Sequence, residues 1–141
     1  MRHNKSKIKF SQGKDANKML MRKLAYNFIV NGKIETTEKK AKVLKSYIEK
    51  MAEKMKEGTE ANKNVLLSAF GNAEFVAKLF EKVGPTIKEI KGGYVRATKL
   101  QLRSDAVQAV RLEWAYPVVF AEKVKKEKAQ KVSNSEVKTD K

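Results

Sequence analysis

The apolar residues of this chain change their spacing at Gly92-Gly93, and no single kind of secondary structure accommodates both spacings. Ahead of the two glycines they recur every three or four residues, as on one face of a helix. Behind them they alternate, as on one face of a strand. From Asp15 to about Asn31, Leu20, Met21, Leu24, Ala25, Phe28 and Ile29 form a helical stripe, and Asn31-Gly32 supplies a left-handed stop. Lys33-Ile34-Glu35-Thr36 is then a short extended piece. Thr36-Thr37 opens a second helix with Thr as its N-cap. Ala41, Leu44, Ile48, Met51 and Met55 make its stripe, Val43 and Tyr47 lie beside it, and Gly58 ends it. A third helix is predicted over Glu60 to Phe70, burying Val65, Leu66, Ala69 and Phe70. Asn72 caps a fourth over Ala73–Val83, with Val76, Leu79, Phe80 and Val83 inward. Gly84-Pro85 reads as its stop.

Past Gly92-Gly93, Tyr94 to Arg103 and Val107 to Tyr116 read as two strands joined through Ser104-Asp105-Ala106, an antiparallel hairpin. Val110, Leu112, Trp114 and Tyr116 fall on one side; Lys99, Arg103, Arg111 and Glu113 are assigned to the other. The order helix, strand, three helices, hairpin predicts an α+β fold. Its two layers are helices packed on one face of a small, mostly antiparallel sheet. At 141 residues one domain is expected, over 15–117, with a basic arm at 1–14 and a charged, flexible or partly helical tail at 118–141.

The formal charge of +16 is unevenly placed. Residues 1–14 carry Arg2, Lys5, Lys7, Lys9 and Lys14 and no acid. Residues 37–58 hold seven Lys against four Glu, while residues 59–90 balance at four against four. An uncompensated arm beside a neutral middle describes one face meant for an anion and another meant for water or protein. With no Cys, disulfides, Cys zinc sites and thiol catalysis are excluded, as a reducing cytosol permits. No apolar run reaches the roughly 18 residues that span a bilayer, and the first residues lack a signal's hydrophobic stretch. The expectation is a soluble cytoplasmic protein that seeks a polyanion.

Catalysis lacks parts. The single His, His3, lies in the arm where nothing orients it as a base. There is no cluster of metal-ligating residues, and Gly92-Gly93 lacks the Lys-Ser/Thr of a phosphate-binding loop. Acidic residues occur at helix spacings that suit Lys partners, such as Glu38 with Lys42. No cofactor, metal or small-molecule substrate is expected.

Nucleic-acid binding has positive support, because phosphate neutralisation needs many Lys and Arg presented together. Arg2, Lys5, Lys7 and Lys9 on an arm can enter a crevice closed to a rigid surface. Lys14, Lys18, Arg22 and Lys23 extend the basic run onto the outer side of the first helix. Thr36-Thr37 at a helix start offers free N–H groups and hydroxyls to a phosphate, with Lys39, Lys40 and Lys42 in the next turns. A helix-turn-helix over 60–83 would want a basic recognition helix, and that segment is neutral. Tyr94–Arg103 lacks the aromatic and glycine pattern of an RNA-recognition strand. A membrane-lying helix over 37–57 has no bulky aromatic on its stripe except Tyr47. The pattern describes backbone recognition of a folded polyanion.

Five ordered blocks resemble the bacterial-type large-subunit ribosomal protein seventeen family, over about residues 1–116. They are Met1-Arg-His-x-Lys; Arg22-x-Leu-Ala with a helix to Gly32; Ile34-x-Thr-Thr-x-x-Lys-Ala-Lys; Val76-Ala-Lys-Leu-Phe-x-x-Val-Gly-Pro; and Gly92-Gly-Tyr-x-Arg-x-x-Lys. The resemblance implies a structural, non-catalytic constituent of the large ribosomal subunit. It implies an α+β fold and a place near the exit of the nascent-peptide tunnel. Large-subunit rRNA and neighbouring large-subunit proteins are the implied partners, with the Arg2-His3-x-Lys5 arm, Thr36-Thr37-x-x-Lys40-Ala-Lys42, Arg96 and Lys99 facing RNA. Val76–Pro85 would be structural. Arg103 is placed with the basic set, but Ser104-Asp105 follows it directly where the family usually has Arg-x-Gly-Asp, so the turn is expected to differ. From a different class, a DNA-architectural, nucleoid-type protein would share the same charge. Replacing Arg2, Lys5, Lys7 and Lys9 by Ala is expected to weaken polyanion binding and flatten its salt dependence. The thermal midpoint should stay where it is; a large fall would make the arm part of the fold.

Overall fold

A computed structural model describes Phe10, residues 13–118 and Phe120. The elements run α1 (Lys14–Asn31), β1 (Lys33–Thr37), α2 (Glu38–Met55), α3 (Glu60–Phe70), α4 (Ala73–Lys78), a π-helical stretch (Leu79–Val83), α5 (Gly84–Ile87), β2 (Val95–Leu102) and β3 (Gln108–Trp114). The strands form one antiparallel sheet in the order β1-β3-β2. Helices cover one of its faces, so the α+β, two-layer expectation holds.

Register sorts the side chains. Val110, Leu112 and Trp114 of β3 are buried, and Thr36, Ile34, Ala97 and Val95 pair beside them on the same face. α2 lies against all three strands and α1 along β1, and Phe28 of α1 meets Trp114 with ring centroids 4.9 Å apart. Met21, Ala25, Phe28 and Ile29 line the buried side of α1; Ala41, Leu44, Ile48, Ala52 and Met55 line that of α2. Among the described residues the core contains no charged or polar residue. Each large apolar side chain buried there contributes about 1.5–3 kcal/mol. The exposed ion pairs on the surface contribute at most about 1 kcal/mol each. Packing therefore holds this fold, and the charge is free for other work.

Several expectations hold in detail. Gly32 ends α1 at φ 72, and α3 spans its predicted Glu60–Phe70. The Asn72 side chain accepts from the Phe75 N–H at 3.2 Å and caps α4. Others need correction. Val65 and Tyr116 are exposed, and Ala52 rather than Met51 is fully buried in α2. Phe75, absent from the predicted stripe, is buried between Phe70 and Phe120. Lys99 pairs with Val110 and so lies on the helix-covered face, opposite to Arg111. The reason is strand parity: an even separation shares a face, and paired residues share it too.

Gly84-Pro85 does not stop the fourth helix. The Gly84 N–H bonds back to the Leu79 carbonyl, five residues earlier, and the helical rod continues to Ile87. The wider turn admits Pro85, which has no N–H to give and whose ring would press on the carbonyl four residues back. Gly84 is buried, and a Cβ there would stand 2.6 Å from the Met55 carbonyl oxygen at the end of α2. That close crossing requires glycine.

The end of α2 is also tied to β2. The Tyr94 hydroxyl donates to the Glu53 carboxylate, and Lys56 lies 3.1 Å from Glu53 and 5.1 Å from the Tyr94 ring centroid. The Tyr94 hydroxyl, then Lys56, hold the Glu53 carboxyl below the usual carboxylate range. Burial, with Glu53, pushes the Tyr94 phenol up.

Replacing Gly84 by Ala is expected to destabilise the protein by about 1–3 kcal/mol through overpacking, read as a lower urea midpoint. Because the folded-state value of Glu53 is lowered, its contribution is complete above the ordinary carboxylate range. It fades as pH falls through the lowered value. The gap in thermal midpoint between the native chain and Glu53→Gln should therefore be widest at neutral pH and close as pH falls through that lowered value. A gap independent of pH would remove the ionised Glu53 from the account.

Candidate nucleic-acid interface

Two basic surfaces emerge, at opposite edges of the sheet. The first is the outer side of α1, beside β1. Lys14 and Lys18 stand four residues apart, one above the other, and both are exposed, as is Lys23. Arg22 departs from its expected outer position. It is half-buried, and its Nε donates to the Phe70 carbonyl at 2.7 Å. Its guanidinium fills the place a Cβ on Gly71 would need, and Gly71 is at φ 72, so glycine is required there twice over. A cation on the last carbonyls of α3 suits the negative end of that helix. The Arg22 charge also works against burial of the Tyr47 hydroxyl, whose value burial pushes up. Arg22 is thus a strut between α1 and α3.

The second surface is the start of α2 beside the β2 edge. Thr36 and Thr37 are the last residues of β1, and Thr37 is the N-cap of α2 in extended conformation, φ −70, ψ 152, with no side-chain capping bond. The first turn then presents Lys39, Lys40 and Lys42, with Lys39 and Lys42 exposed. Glu38 does not reach Lys42; it pairs with Lys99 at 3.5 Å, bringing β2 to the α2 start. Lys45, which sequence reasoning passed over, joins them. It lines a groove of about 280 Å³ with Glu38, Ala41, Lys42, Ala97, Lys99 and Val110. Its spacing from Glu38, Ala41 and Lys42 was the available signal.

Arg96 is three residues from Lys99 and so belongs to the uncovered face of the sheet, in register with Glu113. There Arg111 is occupied by Glu35, with Nε at 3.0 Å and Nη2 at 2.7 Å from one carboxylate oxygen. Arg103 stands in the hairpin turn, 3.5 Å from Asp105. In that turn Ala106 adopts φ 56. Arg2, His3, Lys5, Lys7 and Lys9 lie outside the described residues.

The ion pairs show which cations are in use. Among the described residues, carboxylates within 4.0 Å are found for Lys56, Lys63, Lys99, Arg103 and Arg111. Lys14, Lys18, Lys23, Lys39, Lys40, Lys42 and Lys45 are absent from that group. The described residues contain no cluster of three or more His, Asp or Glu arranged for a metal ion. None of their helices is long and apolar enough to cross a membrane.

Comparison with known sequences decides the family. Residues 20–115 match the sequence model of ribosomal protein L17. The chain belongs to the ribosomal protein L17 family. The large ribosomal subunit protein bL17 of Sulfurihydrogenibium sp. (strain YO3AOP1) is 37% identical over 103 residues, covering 73% of this chain and 85% of that protein. That of Persephonella marina is 37% identical over 114 residues, covering 78% and 92%. That of Gemmatimonas aurantiaca is 34% identical over 114 residues, covering 80% and 97%. The L17 family is a structural, non-enzymatic kind of large-subunit ribosomal protein, which sets this chain in translation. The L17 match spans α1 from Leu20, β1, α2, the helical middle and the hairpin, so the surface at the α2 start lies within it, while of the α1 surface it takes in Lys23 but not Lys14 or Lys18.

Proposed function

We propose that this chain binds and braces folded large-subunit rRNA through phosphate and shape contacts, near the exit of the nascent-peptide tunnel and beside other large-subunit proteins. The observation that carries the reading is the grouping of lysines without carboxylate partners on two surfaces of net positive charge. Lysines on α1 and at the start of α2 have no carboxylate within 4.0 Å among the described residues; in the stretch 59–90 only Lys63 is so paired, with Glu60 at 2.6 Å, but there Lys and Glu balance in number. An ammonium without a carboxylate gains most from a phosphate, since each contact releases condensed counterions. Lys14, Lys18, Lys23, Lys39, Lys40 and Lys42 are the proposed phosphate contacts of the folded domain, with Thr36-Thr37 and the α2 N–H groups beside them. Arg96 contributes from the open face, and the arm residues Arg2, His3, Lys5, Lys7 and Lys9 extend the contact. Arg22 supports α1 from behind. Lys99 and Arg103 reach RNA by exchanging a carboxylate partner for a phosphate.

The relatives are large-subunit proteins by name, which favours rRNA over DNA as the polyanion. Tagged chain expressed in a bacterial host should sediment with large subunits at moderate salt and be released by RNase. Recovery with chromosomal DNA after RNase treatment would replace this reading by a DNA-architectural one.

A further inference from the structure

The groove between α2 and the β2 edge has an apolar floor under a cationic rim, and no described residue fills it. α2 contributes Glu38, Ala41, Lys42 and Lys45, spaced i, i+3, i+4 and i+7 so that they share one face. β2 contributes Ala97 and Lys99, alternate residues of one strand face, and β3 contributes Val110. Ala41 and Ala97 are too short to close the space, so Val110 and both methyl groups form a shallow floor. Three lysines surround it against one carboxylate, Glu38, which is itself 3.5 Å from Lys99 at one end. Lys42 and Lys45 have no carboxylate within 4.0 Å among the described residues.

Resting on the rRNA-binding reading above, we infer that this groove seats one unpaired nucleotide of the rRNA. The flat face of the base or ribose lies on Ala41, Ala97 and Val110. Its flanking phosphates lie between Lys42, Lys45 and Lys99, and Glu38 accepts a hydrogen bond from a ribose 2′-OH or an exocyclic amine. The floor selects an unstacked nucleotide over a duplex. A paired A-form helix presents phosphates, 2′-hydroxyls and base edges to a protein but no base face, so the apolar floor would lack a flat partner. The rim selects phosphate over an acidic peptide. Lysine is a compact point charge suited to phosphate, whereas carboxylate recognition favours the fork of arginine, and no arginine lines the groove. The volume of about 280 Å³ stands at the lower end of small-molecule sites, enough for one nucleotide unit and no more.

The test uses the full chain, a large-subunit rRNA transcript and a potassium chloride series. Lys45→Glu/Lys99→Glu is compared with Lys50→Glu/Lys54→Glu, a charge-matched pair of exposed lysines elsewhere on α2. Ala97→Leu fills the floor without changing charge, and since Ala97 is exposed it keeps the test usable should the charge reversals unfold the chain. The groove pair is expected to weaken binding by roughly tenfold, the order of one stacked base. It should also flatten the log–log salt slope by about 1.4, the value for two single-strand phosphate contacts. Ala97→Leu should weaken binding with the slope unchanged, and the control pair should weaken it less than the groove pair. Equal weakening by both pairs overturns the groove and leaves rRNA binding standing as diffuse attraction. Normal rRNA affinity in the groove variants with lost co-sedimentation assigns the groove to an acidic protein segment instead. Failure of the native chain to bind the transcript overturns both the groove and the reading it rests on.

Discussion

The central strand organises everything else. β3 is paired along both edges, with β1 on one side and β2 on the other, so its inward residues Val110, Leu112 and Trp114 stand where every layer converges. α2 covers all three strands, and Phe28 brings α1 onto Trp114. The helical middle is then fixed at two points. One is the Gly84 crossing over the Met55 carbonyl of α2; the other is Arg22 of α1 on the end of α3. Because register on β3 decides which residues of β1 and β2 face inward, it also decides where their charges go.

That placement explains how a chain of formal charge +16 forms a compact core. No charge is buried among the described residues, so none of the burial energy is spent on desolvating ions. Self-repulsion is left on the surface, where water and salt screen it and a polyanion relieves it. The few ion pairs are local, as with Lys63 and Glu60, or join separate elements, as with Glu35 and Arg111 or Glu38 and Lys99. They leave the outer lysines of α1 and Lys39, Lys40, Lys42 and Lys45 of α2 without carboxylate partners among the described residues.

Most of the architecture was legible in the sequence, because two hydrophobic periods and a handful of Gly and Asn residues mark it. The helix ends at Gly32 and Gly71, the Asn72 cap and the inward set of β3 all follow from local rules. What escaped depends on contacts between distant residues. Pro85 normally ends a helix, and only the π turn, enforced where the rod crosses α2, lets it continue. Arg22 looks like its neighbours Lys18 and Lys23 in sequence, and only the arrival of the α3 end makes it structural. Phasing back from the hairpin turn puts Lys99 on the wrong face, because a bulge intervenes between the turn and Lys99. Between Lys99 and Leu102 the register with β3 shifts, and the Gln108 side chain bridges the irregularity by donating to the Leu100 carbonyl at 2.5 Å. The groove was half legible: Lys42 and Lys99 were named, but Lys45 and the alanine floor needed the sheet edge beside α2.

The sheet order has a consequence for how the molecule comes into being. Glu35 and Arg111 touch although 76 residues separate them in the chain. The helices between them are local structures, quick to form, whereas closing so long a loop is slow. At the usual pace of synthesis, β1 exists for roughly four to fifteen seconds before its partner strand is made. During that interval α1 and α2 are already complete in sequence, and so are their unpaired lysines. The lysines of α1 and of the α2 start are therefore in place on their helices before the sheet can be finished. Folding and docking of this chain need not be separate events.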